Sequence, residues 1–177
     1  VDTVLYATGR KPNSEDLGLE NLNVNTRSNG SIEVNEYFET AESGVYALGD
    51  VIGRVALTPV AIAEGMVLAS NLFNNTNNAL DYSLIPTAVF SHPTIGTVGL
   101  TEAEARDKYT EIEIFESDFR HLKHTLSGNN ERTYMKILVN KDSRAVLGIH
   151  MLGTDAGEII QGFAAAMQCG LTKEQLD

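Results

Sequence analysis

The sequence predicts two parts in succession: an α/β segment, then an α+β domain whose antiparallel sheet carries its helices on one side. Three observations predict this. The run Gly44-Val45-Tyr46-Ala47-Leu48-Gly49-Asp50 is apolar at successive positions and bounded by glycines, the pattern of an inner strand of a parallel sheet covered on both faces. The stretch Thr58 to Phe73 switches to a three-and-four spacing, the period of an amphipathic helix. Beyond an asparagine-rich connector at 74–81, five strand-like runs follow with short helical stretches among and after them, the order expected of an α+β domain.

Taken in order, Val1 to Gly9 is an apolar run ending before Pro12, expected to be a buried strand that leaves a sheet into a turn. Ser31 to Thr40 alternates Ile32, Val34 and Tyr37-Phe38 with polar residues, as a half-buried strand does. In the helix at 58–73 the apolar stripe is Val60, Ile62, Ala63, Val67, Leu68, Leu72 and Phe73. Thr58 is expected to cap that helix and Pro59 to take its first helical position. Strands are expected at Pro86–Ser91, Ile95–Leu100, Glu111–Phe119, Arg132–Asn140 and Ala145–Met151. Thr101 and Glu104 have the spacing of a capping box before a short helix. Asp155 to Cys169 is amphipathic and ended by Gly170, and Thr172-Lys173-Glu174 opens another helix. The domain boundary falls in the connector, dividing the chain into 1–82 and 83–177.

Composition narrows the function classes. Twenty-four acidic side chains against 13 basic give a net charge of −11, which opposes binding to phosphate backbones. No apolar run approaches the roughly 20 residues that span a bilayer. Neither nucleic acid nor a membrane is an expected partner. Cys169 is the sole cysteine, so no internal disulfide and no thiol-based metal site is expected, and a reducing compartment, the cytoplasm, fits best. On an apolar helix, Cys169 is expected to be a buried structural thiol. Val1 opens the chain without the features of a signal peptide, and Asp177 closes it at the start of a helix. Both ends are expected to be cuts through a larger protein, with any organellar targeting signal outside these 177 residues.

The chemistry-bearing residues follow the inner strand. A lone Gly-Asp at a strand end is also an ordinary turn, but here it leads into Asp50-Val51-Ile52-Gly53-Arg54-Val55-Ala56-Leu57-Thr58-Pro59-Val60-Ala61. With Tyr46-Ala47-Leu48-Gly49 before it, this stretch resembles the second flavin fingerprint of the class I pyridine nucleotide-disulfide oxidoreductases. Val4-Leu5-Tyr6-Ala7-Thr8-Gly9-Arg10-Lys11-Pro12-Asn13 resembles the strand by which that family's nucleotide domain returns to its flavin domain. Ile85 to Glu102, with Phe90-Ser91-His92-Pro93 at its centre, resembles the opening of the interface domain. Val146 to Gly153, Glu158 to Ala164 and Phe119 to Gly128 are similar to the glutathione reductase branch, in particular its plant and cyanobacterial members.

The resemblance implies that 1–82 is the remnant of FAD/NAD(P)-binding domains and 83–177 a dimerisation domain. It implies FAD and NADPH as cofactors, oxidised glutathione as substrate and a homodimer as the working form. It also implies cofactor-binding roles for Gly9, Asp50, Ala56, Leu57, Thr58 and Ala88. Asp50 would accept a hydrogen bond from a ribityl hydroxyl. The helix beginning at Thr58 would aim its positive end at the N1–O2 side of the flavin. Gly9 would lie beside the dinucleotide, and the main chain at Ala88 would approach the nicotinamide carboxamide.

In that family NADPH reduces FAD, the flavin reduces a Cys pair, and a thiolate attacks the substrate disulfide while a glutamate-held histidine protonates the departing thiol. The 177 residues contain no Cys pair, no glycine-rich dinucleotide loop and no such His-Glu pair, so no catalytic residue is expected among them. The fragment alone is expected to be inactive. His92 is expected to satisfy a local hydrogen bond rather than act as a base. Some glutathione reductases bind substrate with an arginine where this chain has Met66; Arg120 or Lys123 could serve instead, or Met66 could pack in a core with both cations solvated. The apolar residues of 155–169 suit either a subunit interface or the domain's own core. Other substrates of the same family, such as those of lipoamide dehydrogenase or mercuric reductase, and a non-catalytic dimerisation module are the alternatives.

Overall fold

The structure, a computed structural model, describes residues 1–177. They form two compact units, Val1–Leu80 and Asp81–Asp177. No helix is long and apolar enough to cross a membrane.

In Asp81–Asp177, five strands form one antiparallel sheet in the order β1-β2-β5-β4-β3. They are β1 Thr87–Val89, β2 Ile95–Gly99, β3 Ile112–Arg120, β4 Arg132–Asn140 and β5 Val146–Leu152. Register aligns side chains in rows across the sheet: Val98, Ile149, Ile137 and Phe115 form one row, and Gly96, Met151, Met135 and Ser117 the next. Because strand side chains alternate faces, both rows lie on the same side. Against that side packs the helix Ala156–Gln168, which fills the core with Ile160, Ala164 and Met167.

The helix can come this close because the strands carry glycine beneath it. A β-carbon on Gly96 would stand 2.5 Å from Ala156 O and 2.7 Å from Ile160 Cγ1. The apolar stripe of Ala156–Gln168 is therefore the domain's own core, with Ile159 and Phe163 packed at its margin. Cys169 is exposed, which corrects the expectation of a buried thiol. It lies two residues past Met167, where the helical repeat has turned off the core face.

The other helices, in chain order, are α1 Thr58–Phe73, α2 Glu102–Lys108, α3 His124–Ser127 and α5 Lys173–Leu176, the long one just described being α4. α2 opens on a complete Thr101–Glu104 capping box, and Thr172 caps α5 in the same way with Gln175. α3 was not expected from the sequence.

Val1–Leu80 departs further from the sequence. It contains α1 and two 3-10 turns, Leu19–Asn21 and Gly49–Ile52, but no strand. Val1 to Gly9 has no regular structure and is exposed throughout. Ser31 to Thr40 and Gly44 to Asp50 make only the isolated bridges Thr26–Ile32 and Glu39–Tyr46. Thr40 N–H and Ala47 N–H bond back to Val45 O and Phe38 O in a tight reversal. The physical reason is that an inner strand needs ladder partners on both edges, and none lies in residues 1–80. At α1 the cap is Leu57, extended and without a side-chain bond; Thr58 is the first helical residue and Pro59 the second. The expected cap thus falls one residue late, a normal boundary error.

Gly96→Ala should lower the unfolding free energy of the chain by about 1–3 kcal/mol, the cost of forcing extra volume into a packed contact. Gly162→Ala, within α4 on its exposed side and with nothing within 4 Å of the added carbon, should raise it by about 0.5–1 kcal/mol through helix propensity. Urea titration of both variants checks the pair.

Candidate functional site

The candidate site in the first unit is built where the chain leaves the apolar run 44–48 and enters α1. Gly49 has φ +73°, a conformation that favours glycine, and it starts the 3-10 turn that carries Asp50. A β-carbon on Gly49 would stand 3.3 Å from Ala61 Cβ of α1. The turn is held at three points. Ile32 N–H donates to Val51 O at 2.9 Å. Arg27 Nη1 donates to Ile52 O at 3.0 Å. Gly49 N–H donates to the Glu64 carboxyl at 2.6 Å.

Glu64 is only 1% exposed, on the α1 face turned toward the turn. A buried acidic side chain needs hydrogen-bond partners to offset its lost hydration. It went unremarked in the sequence because a glutamate in an amphipathic helix ordinarily faces water. The signal available was its position one helical turn after Val60, on the buried stripe.

Asp50 itself is exposed, and its carboxylate makes no hydrogen bond or ion pair within the chain. It lines a cavity of about 290 Å³ with Arg10, Lys11, Pro12, Asn13, Gly53 and Ala56 among its neighbours. Two expected cofactor positions, Asp50 and Ala56, thus share one concavity, and Arg10 stands at the same wall. Leu57 and Thr58 follow directly along the chain. The free amides at the start of α1 are fewer than the sequence suggests, because Val60 N–H and Ala61 N–H both turn to Leu57 O at 3.0 and 3.1 Å. Pro59 has no N–H, which leaves Thr58 as the free donor. Gly9, at φ +109°, has open space around it. Arg54 donates to Asn35 O at 2.9 Å and lies over the Phe38 ring. Met66 is 70% exposed, so it does not pack in a core.

The second unit has its own polar site. A cavity of about 490 Å³ is lined by His92, Pro93, Thr94, Glu131, Thr154 and Asp155. Ala88 pairs with Gly96 in β1–β2, at the sheet edge, and does not line it. His92 Nδ1 lies 3.1 Å from Ser91 O, a local contact of the kind expected. The Thr154 hydroxyl hydrogen bonds to Glu131. That bond, with the positive potential of His124 and Lys123, holds the Glu131 carboxyl below the usual carboxylate range.

Behind Glu131, His124 is buried and its Nε2 has no hydrogen-bond partner, the Glu131 carboxyl standing 3.8 Å away. His121 closes the cluster, with Nε2 2.6 Å from the buried Thr133 hydroxyl and its ring edge-on to those of Phe119 and His124. Residues 121–127 project Leu122 and Leu126, 91% and 99% exposed, and Arg120 and Lys123 are exposed beside them.

Comparison with known proteins gives the family. Residues 85–177 match the family described as pyridine nucleotide-disulphide oxidoreductase, dimerisation domain, and residues 1–65 match the pyridine nucleotide-disulphide oxidoreductase family. The chain is 50% identical over 174 residues to the chloroplastic/mitochondrial glutathione reductase of Pisum sativum, covering 98% of this chain and 32% of that protein. It is 46% identical over 177 residues to the glutathione reductase of Burkholderia cepacia, covering all of this chain and 39% of that one. It is 44% identical over 188 residues to the glutathione reductase of Nostoc sp., covering 99% and 41%. The chain therefore spans between about a third and two fifths of the length of these curated relatives.

A depressed carboxyl pKa contributes stability that is present above the ordinary glutamate value and is lost as pH falls through the depressed one. Thr154→Val should therefore shift the Glu131 titration upward, toward that ordinary value, and move the acid limb of unfolding to higher pH. Side-chain carboxyl NMR of Glu131 in the two proteins checks it.

Proposed function

We propose, for a chain that belongs to the pyridine nucleotide-disulphide oxidoreductase family, that it is part of an FAD-dependent, NADPH-driven glutathione-disulfide reductase. Residues 1–82 contribute to the cofactor-binding region and residues 83–177 form the dimerisation domain. The observation that carries the assignment is the shared concavity of Asp50 and Ala56 beside the head of α1.

The donor and acceptor set there suits a flavin with its ribityl chain. Asp50 offers a carboxylate with no competing partner in the chain, ready to accept hydrogen bonds from hydroxyls. Thr58 offers a free N–H at the positive end of a 16-residue helix, suited to a carbonyl or ring nitrogen that gains negative charge. Gly49 and Gly53 keep the turn free of side chains on the approach. When bound, FAD supplies hydride transfer between NADPH and a disulfide. This chain's residues would hold and orient the cofactors: Asp50 the ribityl hydroxyls and Ala56, Leu57 and Thr58 the ring edge of FAD, Gly9 the dinucleotide, and the Ala88 main chain the nicotinamide carboxamide of NADPH.

The relatives named glutathione reductase, from a plant and two bacteria, support glutathione disulfide as substrate and a homodimer as the active form. Arg120, which closes β3, and Lys123, on the segment after it, are both exposed and are the cations that suit an anionic tripeptide. A reducing compartment, the cytoplasm, suits an enzyme that returns glutathione disulfide to its thiol form.

Full-length protein should carry FAD and oxidise NADPH with glutathione disulfide in preference to lipoamide; a preference for lipoamide would overturn the substrate. Asp50→Ala should weaken FAD binding by about 10- to 100-fold, the worth of one or two hydrogen bonds to a charged group. Fluorescence titration of the apoprotein with FAD measures it.

A further inference from the structure

We propose that Glu64 is a positioning residue of the flavin site, acting on the cofactor through the Gly49-Asp50 turn. The proposal rests on the flavin assignment above and deepens it. Glu64 lies in the second turn of α1 and is almost wholly buried, and its carboxyl accepts the Gly49 N–H at 2.6 Å. That is the amide immediately before Asp50. The 3-10 turn has no side-chain cap of its own, its cap residue being Leu48 in extended conformation.

The remaining anchors of the turn act on Val51 and Ile52, beyond Asp50. Glu64 is therefore the tie that fixes where the turn begins. Asp50 has no side-chain partner in the chain, so its carboxylate points where its backbone sends it. A misplacement of well under 1 Å at Gly49 is carried directly to the ribityl contact, and orientation errors of that size cost binding and rate. The same bond draws the turn toward α1, where Ala61 Cβ stands 3.3 Å from the place a β-carbon on Gly49 would occupy. In this way the turn that displays Asp50 takes its position from α1.

The test uses full-length protein and FAD titration of the apoproteins of wild type, E64Q, E64A, D50A and D50A/E64A, each checked for folding by circular dichroism. E64A should weaken FAD by about 10-fold or more, while E64Q, whose amide oxygen can accept the same N–H, should stay within about 3-fold of wild type. The double variant should bind no more weakly than D50A alone, because Glu64 acts through Asp50. A role in general stability would instead make the two losses multiply. Multiplying losses, an E64A affinity equal to wild type, or an E64Q loss as large as that of E64A would each overturn the proposal. If E64A does not fold, E64D, which retracts the carboxyl by one methylene, replaces it in the same cycle with the same expectations. A wild-type protein that binds no FAD would overturn the flavin assignment itself, a result distinct from all of these.

Discussion

A carboxyl group taken out of water must find hydrogen-bond donors, and in residues 1–80 that requirement organises the candidate site. Glu64 cannot be rehydrated where it sits, so the Gly49 amide comes to it, and the chain reverses over α1 at that point. The reversal requires φ +73°, and a β-carbon there would stand 3.3 Å from Ala61 Cβ, which together favour glycine at 49. Asp50 is then displayed on the outside of a turn whose inside is fixed. One buried polar bond thus settles the identity of residue 49, the path of the chain and the exposure of residue 50.

The second unit rests on a different constraint, close backbone approach. Gly96 and Gly99 of β2, with Gly148 of β5, stand where a β-carbon would meet backbone at 2.2–2.5 Å. α4 and the crossing strands can therefore lie in contact, and the Val98–Ile149–Ile137–Phe115 row is sealed beneath Ile160, Ala164 and Met167. A core of this kind is complete within its own residues. The polar cluster of His121, His124, Glu131 and Thr154 is assembled at its rim, where β4, β5 and the segment after β3 meet, and it can be held accurately because the sheet behind it is rigid.

Legibility from the sequence follows from the same two constraints. The five strands of 81–177 were readable to within a residue or two because each finds its partner within the same stretch of chain, so that alternation, pairing and burial agree. The capping box at Thr101–Glu104 was readable because it is a purely local device. The runs 1–9, 31–40 and 44–50 carry strand-like composition equally strong, yet the first has no regular structure and the other two adopt turns and bridges, because strand formation depends on neighbours that periodicity does not reveal. Cys169 misled for a related reason: the helix is apolar as a whole, while burial is decided by the face. Glu64 and the buried His124 were missed because polar residue types read as surface until their surroundings are known.

The motif 49–61 stayed legible where the strand leading into it did not, and the contrast is physical. A turn that packs on a helix imposes its demands residue by residue: glycine where the chain reverses, a small side chain at Ala61 to receive it, proline early in α1 where no N–H is needed. Those demands are satisfied inside a dozen consecutive residues, so they survive whatever surrounds them. A ligand-holding turn built this way is a local object with its geometry written in its own sequence. The buried bond from α1 reaches it from 15 residues along the chain, and the ties from Arg27 and Ile32 hold only its far end.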